Sequence, residues 1–255
     1  MRLRVLGSSI SELPKVSLSS FLIDEKLLFD AGVILSALKD NELFNIKHIF
    51  ITHAHLDHIK DLPFFAEHIL LNGRRHQITV MSIPPVLQSL KDNIFNDTVW
   101  PDFTRIPTCR NPIIRLKKIY TEKTVRIDGY KITARSLTHT VPAVSYMVEN
   151  SNRKRLLYIG DTGPTKTIWK SLDSAKINAL IIEVSFPDRY KNLALKTGHL
   201  TPKLLQLELN KMKRLPDAVY ISHCKPAYKN EIEEELKNLK IGNVKLLRDG
   251  ITYEV

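Results

Sequence analysis

Apolar positions along the chain fall in short runs broken by polar turns, and their spacing predicts an α/β fold rich in strands. Residues 3–6, 19–23 and 27–29 alternate or run apolar, separated by Gly7-Ser-Ser9 and Asp24-Glu-Lys26. Asp30-Ala-Gly32 closes a strand, and residues 33–39 then read as a helix. A second unit follows, with a strand over 48–52, a helix around 59–71 ended by Asn72-Gly73, and a strand over 78–83. Pro84-Pro85 opens a helix running to about Asn96. Strands are expected at 113–119, 124–127, 130–136 and 143–148, and the apolar runs 156–160, 179–184 and 218–222 suit buried strands. Further helices are expected over 165–171, 202–213 and 229–239. Two β-rich halves, each with helices, predict an αββα sandwich of two sheets packed face to face with the helices outside. No low-complexity linker divides residues 1–255, so a single domain is expected.

Composition adds little until charge is considered. A chain of 255 residues can bury a substantial core. No stretch nears the roughly 20 apolar residues that span a bilayer, and the opening Met-Arg-Leu-Arg-Val-Leu-Gly lacks a signal-peptide core. No membrane partner is expected, and the cytoplasm is the expected location. Cys109 and Cys224 are too few for a disulfide framework. The net charge of +11 does change the picture, because cationic surfaces attract phosphates. The basic residues are scattered, however, with small clusters at Gly73-Arg-Arg-His76, Arg115-Leu-Lys-Lys118 and Arg153-Lys-Arg155 that read as solvated turns and strand edges. An anionic small molecule is the expected substrate, with a polynucleotide as the alternative.

The chemistry concentrates at residues 53–58, which read His-Ala-His-Leu-Asp-His. Four metal-ligating side chains stand in one hexapeptide, three of them from the 9 histidines of the chain. If the strand continues through them, His53 and His55 point the same way, alternating with Ala54. A turn would then bring Asp57 and His58 to a second position, so one segment could serve two neighbouring metal ions. Three more ligand-type residues end apolar strands: His139 after 130–136, Asp161 after 156–160, and His223 after 218–222. Asp30 is open between two readings, a carboxylate that orients a ligating imidazole and an Asx turn with Ala31-Gly32. Cys224 should point to the opposite face from His223, which favours packing over thiolate ligation.

Taken together, His53-x-His55-x-Asp57-His58, His139, Asp161 and His223 resemble the ligand pattern of the metallo-β-lactamase superfamily, over a span from Leu3 to about Leu246. The resemblance implies a metallo-β-lactamase-like fold in which His53, His55 and His139 bind one metal, Asp57, His58 and His223 bind the other, and Asp161 bridges. Asp57 stands among the catalytic candidates as well. The segments Phe95-Asn-Asp-Thr-Val-Trp-Pro-Asp-Phe103, Glu183-Val-Ser-Phe-Pro187, Gly198-His-Leu-Thr-Pro202 and Ser222-His-Cys-Lys-Pro226 are similar to class II 3′,5′-cyclic-nucleotide phosphodiesterases. That similarity implies hydrolysis of cAMP or cGMP to the 5′-monophosphate. Lys60-Asp61 departs from the small residue common in that family after the motif.

The chemistry agrees on independent grounds. Two metals about 3.5–4 Å apart can activate a hydroxide and stabilise both oxygens of an in-line displacement at a phosphodiester. Imidazole and carboxylate ligands suit Zn²⁺, with Mn²⁺ or Fe²⁺ as alternatives. The leaving 3′-oxygen needs a proton, and His199, in a turn before the helix at Thr201-Pro202, is the candidate general acid, oriented by Glu183. This pair also resembles the proton shuttle of the tRNA 3′-processing endonucleases, and the structural alternative is a helix-start histidine that contacts backbone. Trp100 and Phe103 could stack a purine or plug a loop onto the core or onto a second subunit, as in a homodimer. The competing functions are the tRNA endonuclease, disfavoured by the lack of a glycine-rich basic insertion, and a non-catalytic nucleic-acid binder, disfavoured by the complete ligand set.

Overall fold

The computed structural model describes residues 1–10, 17–73, 76–166, 168–172 and 176–255. Arg74 and Arg75 of the first basic cluster, and Thr167 of the expected helix 165–171, lie outside the described residues. The first half of the chain runs β1 (Arg2–Gly7), β2 (Ser20–Ile23), β3 (Leu27–Phe29), α1 (Asp40–Leu43), β4 (His48–Phe50), α2 (Leu56–Ile59), α3 (Asp61–Leu71), β5 (Ile78–Ser82), α4 (Pro84–Asn93) and β6 (Ile114–Lys118). The second half continues with β7 (Thr124–Ile127), β8 (Tyr130–Ser136), β9 (Val144–Glu149), β10 (Arg155–Tyr158), α5 (Ile168–Ser171), β11 (Ala179–Glu183), α6 (Lys191–Thr197), α7 (Pro202–Leu209), β12 (Ala218–Ser222), α8 (Lys229–Asn238), β13 (Val244–Leu246) and β14 (Thr252–Glu254).

Two sheets result, ordered β14-β1-β2-β3-β4-β5-β6 and β13-β12-β11-β10-β9-β8-β7. Local chemistry sets some of these pairings. Asp128 (φ +48°) and Gly129 (φ +86°) join β7 to β8 with Ile127 opposite Tyr130, and a two-residue hairpin turn with both φ positive matches the twist of the flanking strands. Burial then divides into three layers. Leu3, Val5, Phe21 and Phe29 of one sheet meet Tyr146, Val148, Tyr158 and Ile181 of the other. Leu22, Leu28 and Ile49 face the opposite way, into a core with Leu62, Phe65 and Ile69 of α3. Leu157, Leu180 and Ile221 do the same on the second sheet, against Leu204, Leu205 and Ile232. Central strands covered on both faces explain the continuous apolar runs, and the result is the expected αββα sandwich.

Several expected boundaries differ. Residues 33–39 form turns and no helix, with the N–H groups of Ile34 (2.6 Å) and Leu35 (3.0 Å) held by the Asp61 carboxylate. The helix around 59–71 is two helices, beginning at Leu56. Helix α6 and strands β13 and β14 were not expected. The strand over 48–52 stops at Phe50, since the Thr52 N–H leaves the ladder for Asp30 Oδ1 at 2.7 Å. Strand alternation therefore does not place His53 and His55; the loop after β4 does.

In each sheet four successive strands run parallel, from the centre to one edge: β3 to β6 in one and β10 to β13 in the other. Their carboxyl ends gather the loops at one edge, where ligand sites of α/β sheets form. Among the described residues no helix is long and apolar enough to cross a membrane.

Candidate metal centre

Two clusters of ligand-type side chains meet at that edge. His53, His55, His139 and Asp161 form one, and Asp57, His58, Asp161 and His223 form the other, with the ligand atoms of each set within 4.8 Å of one another. Asp161 belongs to both. Its Oδ2 lies 3.6 Å from His53 Nε2, 4.0 Å from His139 Nε2 and 3.3 Å from His223 Nε2, and its Oδ1 lies 3.4 Å from His58 Nε2. The loop after β10 thus sets a carboxylate between the histidines of both sheets.

Surrounding groups fix how the imidazoles face. The His58 Nδ1–H donates to Asp30 Oδ2 at 2.7 Å, and the His139 Nδ1–H donates to the Gly198 carbonyl at 2.9 Å. Thr52 Oγ1 donates to Asp30 Oδ2 (2.8 Å), so it accepts from His53 Nδ1 (3.0 Å). By the same logic Ser185 Oγ donates to Glu183 Oε2 (2.7 Å) and accepts from His223 Nδ1 (2.9 Å). These four rings therefore have Nδ1 tied to the protein and Nε2 turned inward, which is how a histidine that ligates through Nε2 is oriented. His55 differs, presenting Nδ1 toward His139 Nε2 at 3.3 Å.

Backbone geometry supports this placement. His223 has φ +61°, and its N–H is held by the Ser8 carbonyl at 2.6 Å; a non-glycine residue in the left-handed region marks a conformation imposed by its surroundings. Gly198 has φ +71°, and a Cβ there would lie 2.9 Å from His139 Nδ1. Both its conformation and its contact with His139 therefore require glycine.

Electrostatics test whether cations fit. His53 Nε2, His58 Nε2 and Asp161 Oδ1 are buried with no hydrogen-bond partner, and buried polar atoms are rarely left unpaired. Burial pushes the His53 imidazole well below its ordinary pKa. His58 is equally buried, yet the Asp161 and Asp30 carboxylates overcome burial and hold it well above. Burial would raise Asp161, but the His223 and His58 imidazoles hold it well below the usual carboxylate range. Imidazole Nε2 atoms turned toward a buried carboxylate, with orphaned atoms among them, form a donor set that fits divalent cations in both clusters.

A third grouping, Glu183, His199 and His223, is of ligand type but already satisfied. Glu183 accepts from His199 Nδ1 (2.7 Å), Thr162 N (3.0 Å), Ser185 Oγ (2.7 Å) and Leu200 N (3.3 Å). Burial alone would lower His199, but the Glu183 carboxylate overcomes it and leaves the imidazole raised. The His199 ring stacks on His223 at 5.5 Å and lies 5.3 Å from His139, so it stands between the two clusters.

The remaining candidates are placed as follows. Asp30 is fully buried and accepts from His58, so it orients a ring; the Asx-turn reading does not hold, because the Gly32 N–H goes to the Ser19 carbonyl. Cys224 packs in the core outside the second sheet, where burial pushes its thiol up to about 12. Asp61, the departure from the family pattern, ties down the turns at 31–35. Phe103 corrects an expectation: its ring is 2% exposed within the core beneath the first sheet, so it offers no face to a purine. Trp100 is half-buried and meets Phe64 edge-on at 4.8 Å. Sequence reasoning passed over Thr52 and Ser185, whose only sequence signal is a short hydroxyl residue at or just beyond the end of an apolar strand.

Comparison with known proteins places this geometry in a family context. A family model described as the beta-lactamase superfamily domain matches residues 26–224. A probable 3′,5′-cyclic-nucleotide phosphodiesterase of Yersinia pestis is 30% identical over 212 residues, covering 72% of this chain and 58% of that protein. The chain thus spans less than two thirds of that relative's length. A ribonuclease Z of Archaeoglobus fulgidus is 25% identical over 232 residues, covering 70% of this chain and 72% of the relative. The crystal structure of unliganded yeast PDE1 has the same fold, with a TM-score of 0.84 at 18% identity over 98% of each chain.

Proposed function

The chain belongs to the beta-lactamase superfamily, and on that premise we propose that it is a metal-dependent phosphodiesterase that opens 3′,5′-cyclic nucleotides to 5′-monophosphates. The observation that carries the phosphodiesterase chemistry is the Glu183–His199 pair, at 2.7 Å, set beside two ligand clusters that share Asp161. His53, His55, His139 and Asp161 would hold one cation, and Asp57, His58, Asp161 and His223 the other. Nitrogen and oxygen donors favour Zn²⁺ over Mn²⁺ or Fe²⁺. Such a pair supplies a nucleophile at neutral pH and offsets the charge of the phosphate.

The side chains divide the remaining work. His199 keeps a proton because Glu183 holds its Nδ1, leaving Nε2–H as the group to give. Water adds to phosphorus, the bond to the 3′-oxygen breaks, and that oxygen takes the His199 proton. Asp57, whose side chain is 19% exposed, is the ligand carboxylate open to solvent, and it accepts the proton that the water loses. Proton transfer of this kind contributes about 10²–10⁴-fold in rate.

Support for the substrate comes from the Yersinia relative's name and from the cyclic-nucleotide-phosphodiesterase-like segments around Glu183, His199 and His223. The second reading is a tRNA 3′-processing endonuclease, favoured by the ribonuclease Z relative, the net charge of +11 and the same Glu183–His199 pair. A hydrolysis panel separates them: cAMP, cGMP, 2′,3′-cyclic nucleotides, bis-p-nitrophenyl phosphate and precursor tRNA, each with Zn²⁺, Mn²⁺ and Fe²⁺. The proposal expects the highest kcat/KM on a 3′,5′-cyclic nucleotide. A panel led by precursor tRNA would reverse the assignment.

A further inference from the structure

We propose that Lys225 grips a non-bridging oxygen of the substrate's phosphate; the inference rests on the phosphodiesterase reading above. Lys225 follows His223 closely in sequence and opens the short turn of 3₁₀ helix Pro226–Tyr228. Its side chain is half-buried. The ammonium Nζ sits 4.8 Å from the centroid of the Phe186 ring, and Phe186 in turn lies 6.0 Å from the His199 ring. One aromatic ring therefore separates this cation from the proposed general acid.

Lys225 lacks the partner that a half-buried ammonium normally has. Burial lowers the Lys225 ammonium from its ordinary pKa against the charges of Glu183, Asp57 and Asp161, and among the described residues no carboxylate comes within the 4.0 Å of an ion pair. The cation–π contact with Phe186 contributes about 0.5–1 kcal/mol, which holds the side chain in place without neutralising it. Arg189, the other cation on this wall, is already committed. It makes two bonds to Glu231, at 2.7 and 3.0 Å, and covers the Tyr190 ring at 4.2 Å.

The charge balance explains what such a cation would meet. Asp57, Asp161 and Glu183 bring three carboxylates to the site, and these repel an anionic phosphodiester. Bound cations would offset the two ligand carboxylates, while Lys225 brings a positive charge of the chain itself close to Phe186 and His199. Lysine binds phosphate as a compact point charge. Its partner would be an oxygen that stays anionic from substrate to product, so Lys225 would strengthen binding throughout and not only at the transition state. Removing such a contact raises KM and leaves kcat nearly unchanged.

Calorimetric titration of zinc-loaded protein with inorganic phosphate and with 5′-AMP tests this directly, alongside metal content and cAMP kinetics. Two neutral replacements, Lys225→Met and Lys225→Gln, should keep the wild-type metal content and weaken both ligands about 10- to 100-fold, the range of a hydrogen bond to a charged group. KM for cAMP should rise by a similar factor, and Lys225→Arg should recover most of the loss. Unchanged affinity for phosphate and AMP in both neutral variants overturns the assignment. If phosphate binding depends on Lys225 while wild-type protein fails to hydrolyse cAMP, the phosphate contact stands and the cyclic-nucleotide reading falls.

Discussion

Replacing Asp30 by asparagine exchanges one oxygen for NH₂ at a point where the structure has no room for a donor. Asp30 is fully buried and accepts four hydrogen bonds: Thr52 N at 2.7 Å, Thr52 Oγ1 at 2.8 Å, His58 Nδ1 at 2.7 Å and Tyr158 OH at 2.6 Å. Three of these converge on Oδ2, so the least costly amide turns its NH₂ toward the Thr52 N–H and leaves that backbone donor unpaired. One orphaned buried donor costs about 1–3 kcal/mol. For a chain of this size that lowers Tm by roughly 2–12 °C, at about 2–4 °C per kcal/mol. The variant also loses the anionic anchor of His58. Loss of such an orienting partner weakens metal binding about 10–100-fold. Thermal unfolding of metal-free Asp30→Asn protein and chelator competition for zinc read the two effects separately. If Tm and zinc affinity both match the wild type, Asp30 does not orient a ligand and the outer hydrogen-bond argument fails. Asp30→Ala is less informative, since it orphans all four donors at once.

Two further outcomes follow from the same geometry. Asp161→Ala removes the carboxylate shared by both clusters, so it should fold yet bind fewer than two metals by elemental analysis and lose activity by several orders of magnitude; full activity in metal-free protein would contradict the metal centre. His199→Ala should keep its metals and lose kcat on cyclic nucleotides by about 10²–10⁴-fold, with a much smaller loss on bis-p-nitrophenyl phosphate, whose leaving group needs little protonation; equal losses on both would assign His199 to binding or structure.

The ligand residues could be read from the chain because their types are rare and their places are regular. His53, His55, Asp57 and His58 stand in one hexapeptide, and Asp161 and His223 each follow an apolar strand that sheet burial makes conspicuous. The groups that orient them left weaker signals. Thr52, Ser185 and the Gly198 carbonyl act through hydrogen bonds between segments far apart in sequence, such as His139 to Gly198. Local pattern could not anticipate the turns at 33–39 either, because the carboxylate that holds the Ile34 N–H is Asp61, in α3. The strands β13 and β14 are short, and their residues are no more than half-buried, so they lack the apolar run that marks a central strand. Phe103 misled for a related reason: an aromatic in a polar loop looks available until the core beneath the first sheet is seen to enclose it.

The central claim is hydrolysis of a cyclic mononucleotide at this centre, and the most direct measurement is cAMP turnover by zinc-loaded protein, with the product identified chromatographically and KM followed between low and physiological salt. Hydrolysis of a cyclic mononucleotide gives 5′-AMP as product and a KM that changes little, because a substrate with one negative charge displaces few counterions. A polynucleotide held through many phosphates would instead show affinity falling steeply with salt, at a logarithmic slope of about −0.7 per neutralised phosphate for a single strand. Efficient, salt-sensitive cleavage of precursor tRNA with no cAMP turnover under the same metal conditions would contradict the account.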